Sequence, residues 1–411
     1  MSHTHFTPEH QVRLFQGAGD LFEAVVQAID DSVHEVRLET YIFHFDAQGE
    51  RVAQALVRAA RRGVAVFVVV DGIGTPALPA QWSQLFDHSG VQWHRFSPLG
   101  CLGVLFPVRW RRLHRKLCVV DGKQAFCGGI NVIDDFIDLH HGQLSAPRLD
   151  FSVQVGGPLV KDVQAVMEQF WLRLAFARNV ESLQWKAARA QLRQPTLTTT
   201  VHTSVPAKLI PSTANKAVNS AVSAALLLRD NVHHRTRIEQ AYRKAIGEAR
   251  SEVLIANAYF VPGRKLRHAL VHAAQRGVRV RLLLQGQYEY FMQYHGARAV
   301  YGVLLAAGVE IYEYKAGFLH AKVAVVDRRW ATVGSSNLDP LSLLLAREAN
   351  VVVHDRRFAL LLRERVLSAL NSKSTRVQAQ AYAGRGWWQR AMDILALGLM
   401  RIILFLIGRP Y

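Results

Sequence analysis

The sequence is poor in cysteine and lacks the residue patterns that usually bind metal ions. Its cysteines are Cys101, Cys118 and Cys127, and no two of them form a C-x-x-C pair. An odd, sparse set of cysteines is typical of a reducing compartment and argues against a structural zinc site. The chain also has no H-E-x-x-H motif and no dense cluster of Asp and Glu. We therefore expect neither a metal ion nor another cofactor.

Acidic residues and long apolar runs are also scarce. The chain has 50 basic and 32 acidic residues, which gives a formal net charge of +18 at pH 7. This excess favours a polyanionic partner, either nucleic acid or an anionic membrane surface, and does not choose between them. The polar N-terminus lacks the apolar segment of a signal peptide. The apolar stretch 394–407 is interrupted by Arg401 and is shorter than the ~20 residues that a membrane-spanning helix needs.

A long internal repeat is the main feature that the sequence does contain. Residues 111–121 read RRLHRKLCVVD and residues 317–327 read GFLHAKVAVVD, so both contain the pattern H-x-K-x-x-x-x-D. His114 and His320 are 206 residues apart, which is half the chain length. Because 411 residues are too many for one ordinary hydrophobic core, we expect two halves that share one fold.

An asparagine follows each motif at the same distance, 17 residues after the motif histidine. On a strand, residues i and i+2 point to the same face, so the histidine and lysine of each motif project together. Two basic groups on one face repel each other unless an anion lies between them. A single pair of this kind is usually a solvated strand edge, but the matched pairs predict an anion site. The predicted residues are His114, Lys116, Asn131, His320, Lys322 and Asn337.

The segments before the two motifs also match and predict an α/β fold. Residues 51–72 and 265–286 each combine a helical stretch, a glycine and an apolar run. Gly63 and Gly277 stand where a helix C-terminus is expected. The order strand–helix–strand predicts βαβ units, and continuous apolar strands fit a sheet covered on both faces. We therefore predict two pseudo-symmetric halves, each a mixed, largely parallel sheet flanked by helices.

The repeat and the composition also predict the domain boundaries. The first half is expected over residues 1–189 and the second over residues 223–375. Residues 190–222 are rich in Thr, Ser and Pro and are predicted to be a polar linker or loop. Residues 376–411 are predicted to be an amphipathic or apolar tail that associates with membranes.

The duplicated H-x-K-x-x-x-x-D, followed each time by G-G/S-x-N, resembles the signature of the phospholipase D superfamily across both halves. The resemblance implies one active site at the interface of the halves, with His, Lys and Asn from each. By analogy with the family, His114 is assigned as the nucleophile that forms a phosphohistidine and His320 as the general acid and base, although the sequence alone does not distinguish the two roles. Lys116 and Lys322 would supply positive charge to the phosphodiester in place of a metal ion, and the two asparagines would donate hydrogen bonds.

Four carboxylates complete the predicted site. Asp121 and Asp327 are the last residues of the motifs and belong to the catalytic signature. We expect structural roles for them, because the strand direction carries them away from the phosphate. Glu348 lies 28 residues after His320 and, by the resemblance, holds the other nitrogen of the motif histidine. Asp150, 36 residues after the first motif histidine, is the expected counterpart in the first half.

The continuation of the second motif resembles bacterial cardiolipin synthases, most closely those of the ClsB type. The runs that carry this likeness are WATVGSSNLDPLS and EANVVVHD. The resemblance implies transfer of a phosphatidyl group from one phosphatidylglycerol to the hydroxyl of a second, or of a related acceptor, with release of glycerol. The alternative is a phospholipase D or nuclease-type phosphodiesterase that passes the same intermediate to water. A non-catalytic lipid-binding protein ranks last, because all six His, Lys and Asn positions are present.

Two apolar stretches favour a lipid substrate and make nucleic acid an unlikely partner. The first, residues 98–108, is either buried core or a lip that dips into the membrane. The second lies in the tail, where Trp387 and Trp388 with nearby arginines suit an interfacial helix or a helix docked on the domain. With the positive net charge, these features predict a peripheral protein on the cytoplasmic face of the bacterial cell membrane, bound to anionic phospholipid. The oligomeric state cannot be read from the sequence.

Overall fold

The computed structural model describes residues 6–98, 110–181, 218–230, 236–339 and 346–406. The apolar stretch 98–108 therefore lies outside the described residues except for its first position. The predicted linker 190–222 lies outside them except for its last five residues. Those five begin a strand, so the second half starts earlier than predicted. The last five residues of the tail are also outside the described part.

The first half alternates strands with covering helices and ends in a long helix. Its elements are β1 (Thr7–Gln16), α1 (Ala18–Asp30), β2 (Glu35–Thr40), α2 (Ala47–Arg61), β3 (Ala65–Asp71), α3 (Ala80–Ser89), β4 (Gln92–Phe96), β5 (Arg112–Leu113), β6 (Lys116–Val120), β7 (Gln124–Gly128), β8 (Ile137–Asp138), β9 (Gly142–Gln143), β10 (Phe151–Gly156) and α4 (Leu159–Glu181).

The second half repeats most of this order and adds a C-terminal helical segment. Its elements are β11 (Val218–Arg229), α5 (Arg237–Glu248), β12 (Glu252–Asn257), α6 (Arg264–Gln275), β13 (Arg279–Gln285), α7 (Phe291–Ala306), β14 (Glu310–Tyr314), β15 (Lys322–Val326), β16 (Trp330–Gly334), β17 (Ala346–His354), α8 (Arg356–Lys373), β18 (Ser374–Arg376), α9 (Ala379–Ala383) and α10 (Trp387–Leu406). None of the helices in the described part of the chain is long and apolar enough to cross a membrane.

One continuous sheet joins the two halves. Its order is β18-β14-β13-β12-β15-β16-β17-β11-β1-β10-β7-β6-β2-β3-β4. Strands β1 and β11 pair antiparallel at the centre, and the strand order outward from them is equivalent on the two sides. The α/β class and the two pseudo-symmetric halves are therefore confirmed.

The sheet is less parallel than predicted. Only β2-β3-β4 and β12-β13-β14 are parallel sets, and the other neighbours in this order are antiparallel. The predicted βαβ units account for the parallel sets. The expectation of largely parallel halves was wrong, because each motif strand returns through a short turn. The β6–β7 and β15–β16 connections are hairpins, and a hairpin can join only antiparallel strands.

Helix α2 illustrates how local sequence sets these elements. The Asp46 carboxylate accepts hydrogen bonds from the backbone N–H groups of Gln48 and Gly49, at 3.0 Å each, and so caps the helix N-terminus. Gly63 follows the helix with a φ of 89°, and Gly277 has a φ of 84° at the matching place in the second half. Both glycines thus adopt the left-handed conformation predicted at these helix ends.

Apolar side chains cover both faces of the sheet. In β6, Leu117 and Val119 pack with α4 and α8 in a core shared by the two halves. Cys118 and Val120 point to the opposite face and pack with α1 and α2. The second half has a matching core beneath α5, α6 and α7. The shared core fixes the halves against each other, and the motif lysines lie at the strand ends beside this junction.

The last residue of each motif stabilises a turn by accepting hydrogen bonds from its backbone N–H groups. The Asp121 carboxylate accepts hydrogen bonds from the backbone N–H groups of Val33, His34 and Glu35 at 2.8–3.0 Å. Asp327 binds the equivalent amides of residues 250–252 at 2.8–2.9 Å. Both aspartates lie at the far end of their strand from the motif lysine. These contacts agree with the structural roles expected from the strand direction, whereas the assignment of both aspartates to the catalytic signature stays a prediction.

This arrangement predicts a loss of stability when Asp121 is truncated. Asp121→Ala should lower the free energy of unfolding by about 1–3 kcal/mol, because three amide donors lose their acceptor. Asp121→Asn should lose less, because asparagine keeps one acceptor oxygen and tolerates the φ of 51° at this position. Urea denaturation of the three proteins measures the difference. An Asp121→Ala protein as stable as wild type would contradict the structural role.

Candidate active site

The first motif histidine is held by backbone of the second half. Strand β5 pairs in parallel with the start of β17, with Arg112 opposite Ala346 and Leu113 opposite Arg347. The backbone N–H of His114 then donates to the Arg347 carbonyl at 3.1 Å. This short ladder crosses the junction between the halves and fixes the position of His114.

The second motif histidine is held in the same way by the first half. Leu149 and Leu319 form a parallel bridge, and Leu149 N–H donates to the Phe318 carbonyl at 2.9 Å. The backbone N–H of His320 donates to the Leu149 carbonyl at 2.9 Å. Each half therefore supplies the backbone that holds the other half's histidine.

The orienting carboxylates also cross between the halves. His114 Nδ1 lies 3.0 and 3.1 Å from the two carboxylate oxygens of Glu348. His320 Nδ1 lies 2.6 Å from Asp150 Oδ2. The sequence spacing assigned Glu348 to His320 and Asp150 to the first motif, and this pairing was wrong. The backbone ladders bring the start of β17 beside the first motif and the end of the 144–149 segment beside the second, and spacing within one half cannot reveal that crossing.

The strand registers make Asp150 and Glu348 equivalent positions. Ser152 of β10 and Asn350 of β17 lie opposite equivalent glycines of the preceding strands, and each carboxylate stands two residues earlier. Asp150 is therefore the counterpart of Glu348, although it contacts the histidine of the other half.

The two carboxylates differ in their surroundings. Ser335 Oγ donates a hydrogen bond to Glu348. Gly129 occupies the matching position of the first half, and a Cβ added there would lie 2.3 Å from Asp150 Oδ1. The shorter side chain, Asp150, therefore lies against a glycine, whereas the longer side chain, Glu348, lies beside a serine that donates a hydrogen bond to it. Sequence reasoning did not single out Ser335, although its place in the VGSSN repeat against CGGIN was a usable signal.

One nitrogen of each imidazole remains available to a substrate. An ionised carboxylate only accepts hydrogen bonds, so the Nδ1 atom of His114, which faces the ionised Glu348, carries the proton. The side chains of His114 and His320 are 15% and 16% exposed, whereas those of Glu348 and Asp150 are 0% and 2% exposed. The carboxylates are buried behind the rings, and Nε2 of each ring is the nitrogen that does not face a carboxylate.

The motif lysines lie beside the histidines as predicted. Lys116 Nζ donates to the His114 carbonyl at 2.6 Å, and Lys322 Nζ donates to the His320 carbonyl. Burial lowers the pKa of Lys116 to about 7 and that of Lys322 to about 8, against the opposing effect of the carboxylates. Two buried ammonium groups close together are costly, so the site is built to take up an anion.

The two asparagines lie at the ends of their strands and are buried. Asn131 Oδ1 accepts a hydrogen bond from the Ile42 backbone N–H at 3.1 Å, which leaves its amide N–H groups to donate. Asn337 is 1% exposed, and its Oδ1 has no hydrogen-bond partner among the described residues. A buried side-chain amide with unused capacity fits a position that contacts a substrate.

The two histidine–carboxylate pairs differ in charge. Burial lowers the pKa of His114, and burial with both lysines lowers that of His320 well below its usual value. Burial acts to raise the pKa of Glu348, but its contacts with His114, with Lys116 and with Ser335 hold it below the usual value. Burial raises the pKa of Asp150 to about 7. At neutral pH, Glu348 is therefore ionised, whereas Asp150, with a pKa of about 7, is present in both its protonated and its ionised form.

Aromatic and acidic side chains that lie outside the motifs complete the site. The Tyr41 ring lies 5.1 Å from the His114 ring and 5.5 Å from Lys116 Nζ. On the other side, Tyr259 Oη donates to Glu289 Oε1 at 2.8 Å, and Glu289 interacts electrostatically with Lys322. Glu289 follows β13 and lies in no motif, so no sequence pattern points to it.

The chain matches a family described as "Cardiolipin synthase, PLD-like domain" over residues 25–142 and 242–369. It is 34% identical to cardiolipin synthase B of Escherichia coli over 401 residues, which are 97% of this chain and 90% of that protein. It is 33% identical to cardiolipin synthase A of Pseudomonas putida, over 85% of this chain and 66% of that protein.

Two solved structures share the fold at low sequence identity. Phosphatidylserine synthase of Haemophilus influenzae superposes with a TM-score of 0.62 at 13% identity, covering 97% of this chain and 95% of that one. Polyphosphate kinase of Porphyromonas gingivalis gives a TM-score of 0.53 at 13% identity, covering 95% of this chain and 53% of that one. These likenesses concern the fold alone.

Proposed function

Because the chain belongs to the cardiolipin synthase family of phospholipase D-like proteins, we propose that it transfers a phosphatidyl group between two phosphatidylglycerol molecules. Cardiolipin forms and glycerol is released. The observation that carries this proposal is the pair of motif histidines, each oriented by a buried carboxylate of the other half. Such a pair provides one nucleophile and one acid–base group, and a two-step transfer needs both.

The two lysines and two asparagines would hold the phosphodiester. A phosphodiester keeps one negative charge, and that charge shifts between the non-bridging oxygens and the leaving oxygen during the reaction. Lys116 and Lys322 come from opposite halves, so a phosphate between them would be held from both sides. Donors fixed by burial in a poorly solvated site stabilise the transition state without having to reorganise.

His114 is the proposed nucleophile. Its Nδ1–H is held by the ionised Glu348, so the lone pair on Nε2 is free to attack phosphorus. As the N–P bond forms, the P–O bond to glycerol breaks and its electron pair leaves with the glycerol oxygen. A neutral imidazole backed by a carboxylate is the more nucleophilic of the two rings, which favours this assignment.

His320 is the proposed acid and then the base. The His320–Asp150 pair retains a proton to about pH 7, so it can protonate the departing glycerol oxygen. In the second step, His320 Nε2 takes the proton from the hydroxyl of the acceptor lipid. That oxygen attacks phosphorus, the N–P bond breaks, and His114 is regenerated. The two steps are equivalent in reverse, as transfer between similar alcohols requires.

The substrates place this reaction at a membrane. Phosphatidylglycerol is an anionic bilayer lipid, so the proposed partner of the protein is an anionic phospholipid membrane. The odd, sparse set of cysteines in the sequence is typical of a reducing compartment. This supports the proposal of a peripheral protein on the cytoplasmic face of the bacterial cell membrane.

A product assay tests the proposed reaction. Purified protein with phosphatidylglycerol vesicles should form cardiolipin and glycerol in equal amounts. His114→Ala and His320→Ala should each lower the rate by at least about 10²-fold, and His88→Ala, at an exposed histidine outside the site, should not. Phosphatidic acid as the main product would show that water is the acceptor. Full activity of either motif variant would contradict the two-histidine mechanism.

The lowered lysine pKa values predict the alkaline side of the pH profile. Each ammonium is charged below its pKa and loses its charge as the pH rises through it, so capture of the phosphodiester weakens. We expect kcat/KM to fall from about pH 7–8, well below the 10.5 of an ordinary lysine. Lys116→Arg, which cannot lose its charge, should move the midpoint of the fall upward. A profile that stays flat to pH 10 would contradict this.

A further inference from the structure

The C-terminal helix α10 docks on the second half by one face. Ala396 and Met400 of that face are buried against α7. Asp393 is also buried, with one carboxylate oxygen 2.8 Å from His295 Nδ1 and the other 2.9 Å from an Arg385 guanidinium nitrogen. These ionic contacts fix how the helix is rotated about its axis, and therefore which side chains face outward.

The opposite face of α10 is apolar and exposed. Trp387 and Ile394 are 71% and 70% exposed, and the two neighbouring tryptophan rings stack at 4.4 Å. No residue in the described part of the chain covers this stripe. Its members are Trp387, Trp388, Ile394, Leu395, Leu399 and Ile402. Such a row of large apolar side chains is unusual on a protein surface that meets only water.

A basic cavity opens beside this stripe. It has a volume of about 340 Å³ and is lined by Arg264 and Arg267 of α6, by Arg401 of α10, and by apolar side chains that include Val261 and Leu397. None of the described residues that line it is acidic. Arginines with an apolar floor fit an anionic headgroup attached to an acyl chain, because guanidinium groups bind phosphate oxygens in pairs.

One wall of the cavity is tied by its backbone to the segment that carries a site residue. Val261 lies in the segment after β12, and its N–H donates to the Leu338 carbonyl at 2.9 Å. Leu338 is the residue after Asn337 of the site.

We propose that the exposed stripe of α10 and the arginine cavity form the surface on which the enzyme docks to an anionic phospholipid bilayer. The stripe enters the interfacial region, where tryptophan is favoured, and the arginines contact lipid phosphates. The proposal rests on the proposed function for the identity of the membrane lipid. In this proposal α10 docks on the domain, as the structure has it, and presents its outer face to the membrane.

Vesicle binding of the full chain tests the apolar part of this surface. Ile394→Ser/Leu395→Ser/Leu399→Ser should weaken co-sedimentation with phosphatidylglycerol–phosphatidylcholine vesicles at least tenfold. Val33→Ser/Leu360→Ser, which changes exposed apolar residues outside α10, is the matched control and should bind as wild type. Equal binding by all three proteins, or equal loss in both variants, would overturn the proposal.

The basic part is tested by a charge-matched pair. Arg264→Gln/Arg267→Gln should weaken binding to anionic vesicles several-fold more than Arg356→Gln/Arg357→Gln, which removes the same charge from α8. Lipids brominated in the acyl chain should quench the fluorescence of wild type more than that of Trp387→Phe/Trp388→Phe. Equal loss of vesicle binding in the two arginine variants would contradict the assigned surface. So would equal quenching of wild type and of Trp387→Phe/Trp388→Phe.

Turnover of detergent-dispersed phosphatidylglycerol separates this proposal from the proposed function. Every variant should retain wild-type turnover there, which also shows that it is folded. If wild type makes no cardiolipin in detergent or vesicles, the proposed function fails. If wild type is active and the α10 variants bind vesicles normally, only the docking surface fails.

Discussion

The structure depends on one interaction made twice: a buried carboxylate of one half holds the motif histidine of the other. Neither half can orient its own histidine, because Glu348 lies beside His114 and Asp150 beside His320. The backbone ladders at β5–β17 and at Leu149 enforce this exchange. The chemistry therefore requires that the two halves are held against each other. The continuous sheet and the shared core do this, so they serve the chemistry as well as stability.

The two histidine–carboxylate pairs occupy equivalent positions in the two halves but differ in charge. Glu348 is longer, is bound by Ser335 and stays ionised, whereas Asp150 lies against Gly129 and is buried with a raised pKa. In the proposed mechanism, these small differences between the copies separate the nucleophilic role from the acid–base role.

Sequence reasoning predicted the fold class, the repeat and the residues of the anion site, because the repeated motif encodes them at fixed spacing. It failed where partners are distant in the chain. The antiparallel returns of β6 and β15 were missed, because apolar strands look alike in either direction. The histidine–carboxylate pairing was reversed, because only the tertiary structure shows that the backbone of each half holds the histidine of the other. Glu289 lies in no motif, and the charges of Asp150 and the lysines depend on burial that spacing does not report.

The cross-half pairing can be measured directly by ¹⁵N NMR of the histidine rings, with the signals assigned from the spectra of His114→Ala and His320→Ala. The account predicts that Glu348→Gln shifts the ring nitrogens of His114 strongly and those of His320 little, and that Asp150→Asn does the reverse. The opposite pattern, in which Glu348→Gln acts mainly on His320, would show that each half orients its own histidine and would contradict the account.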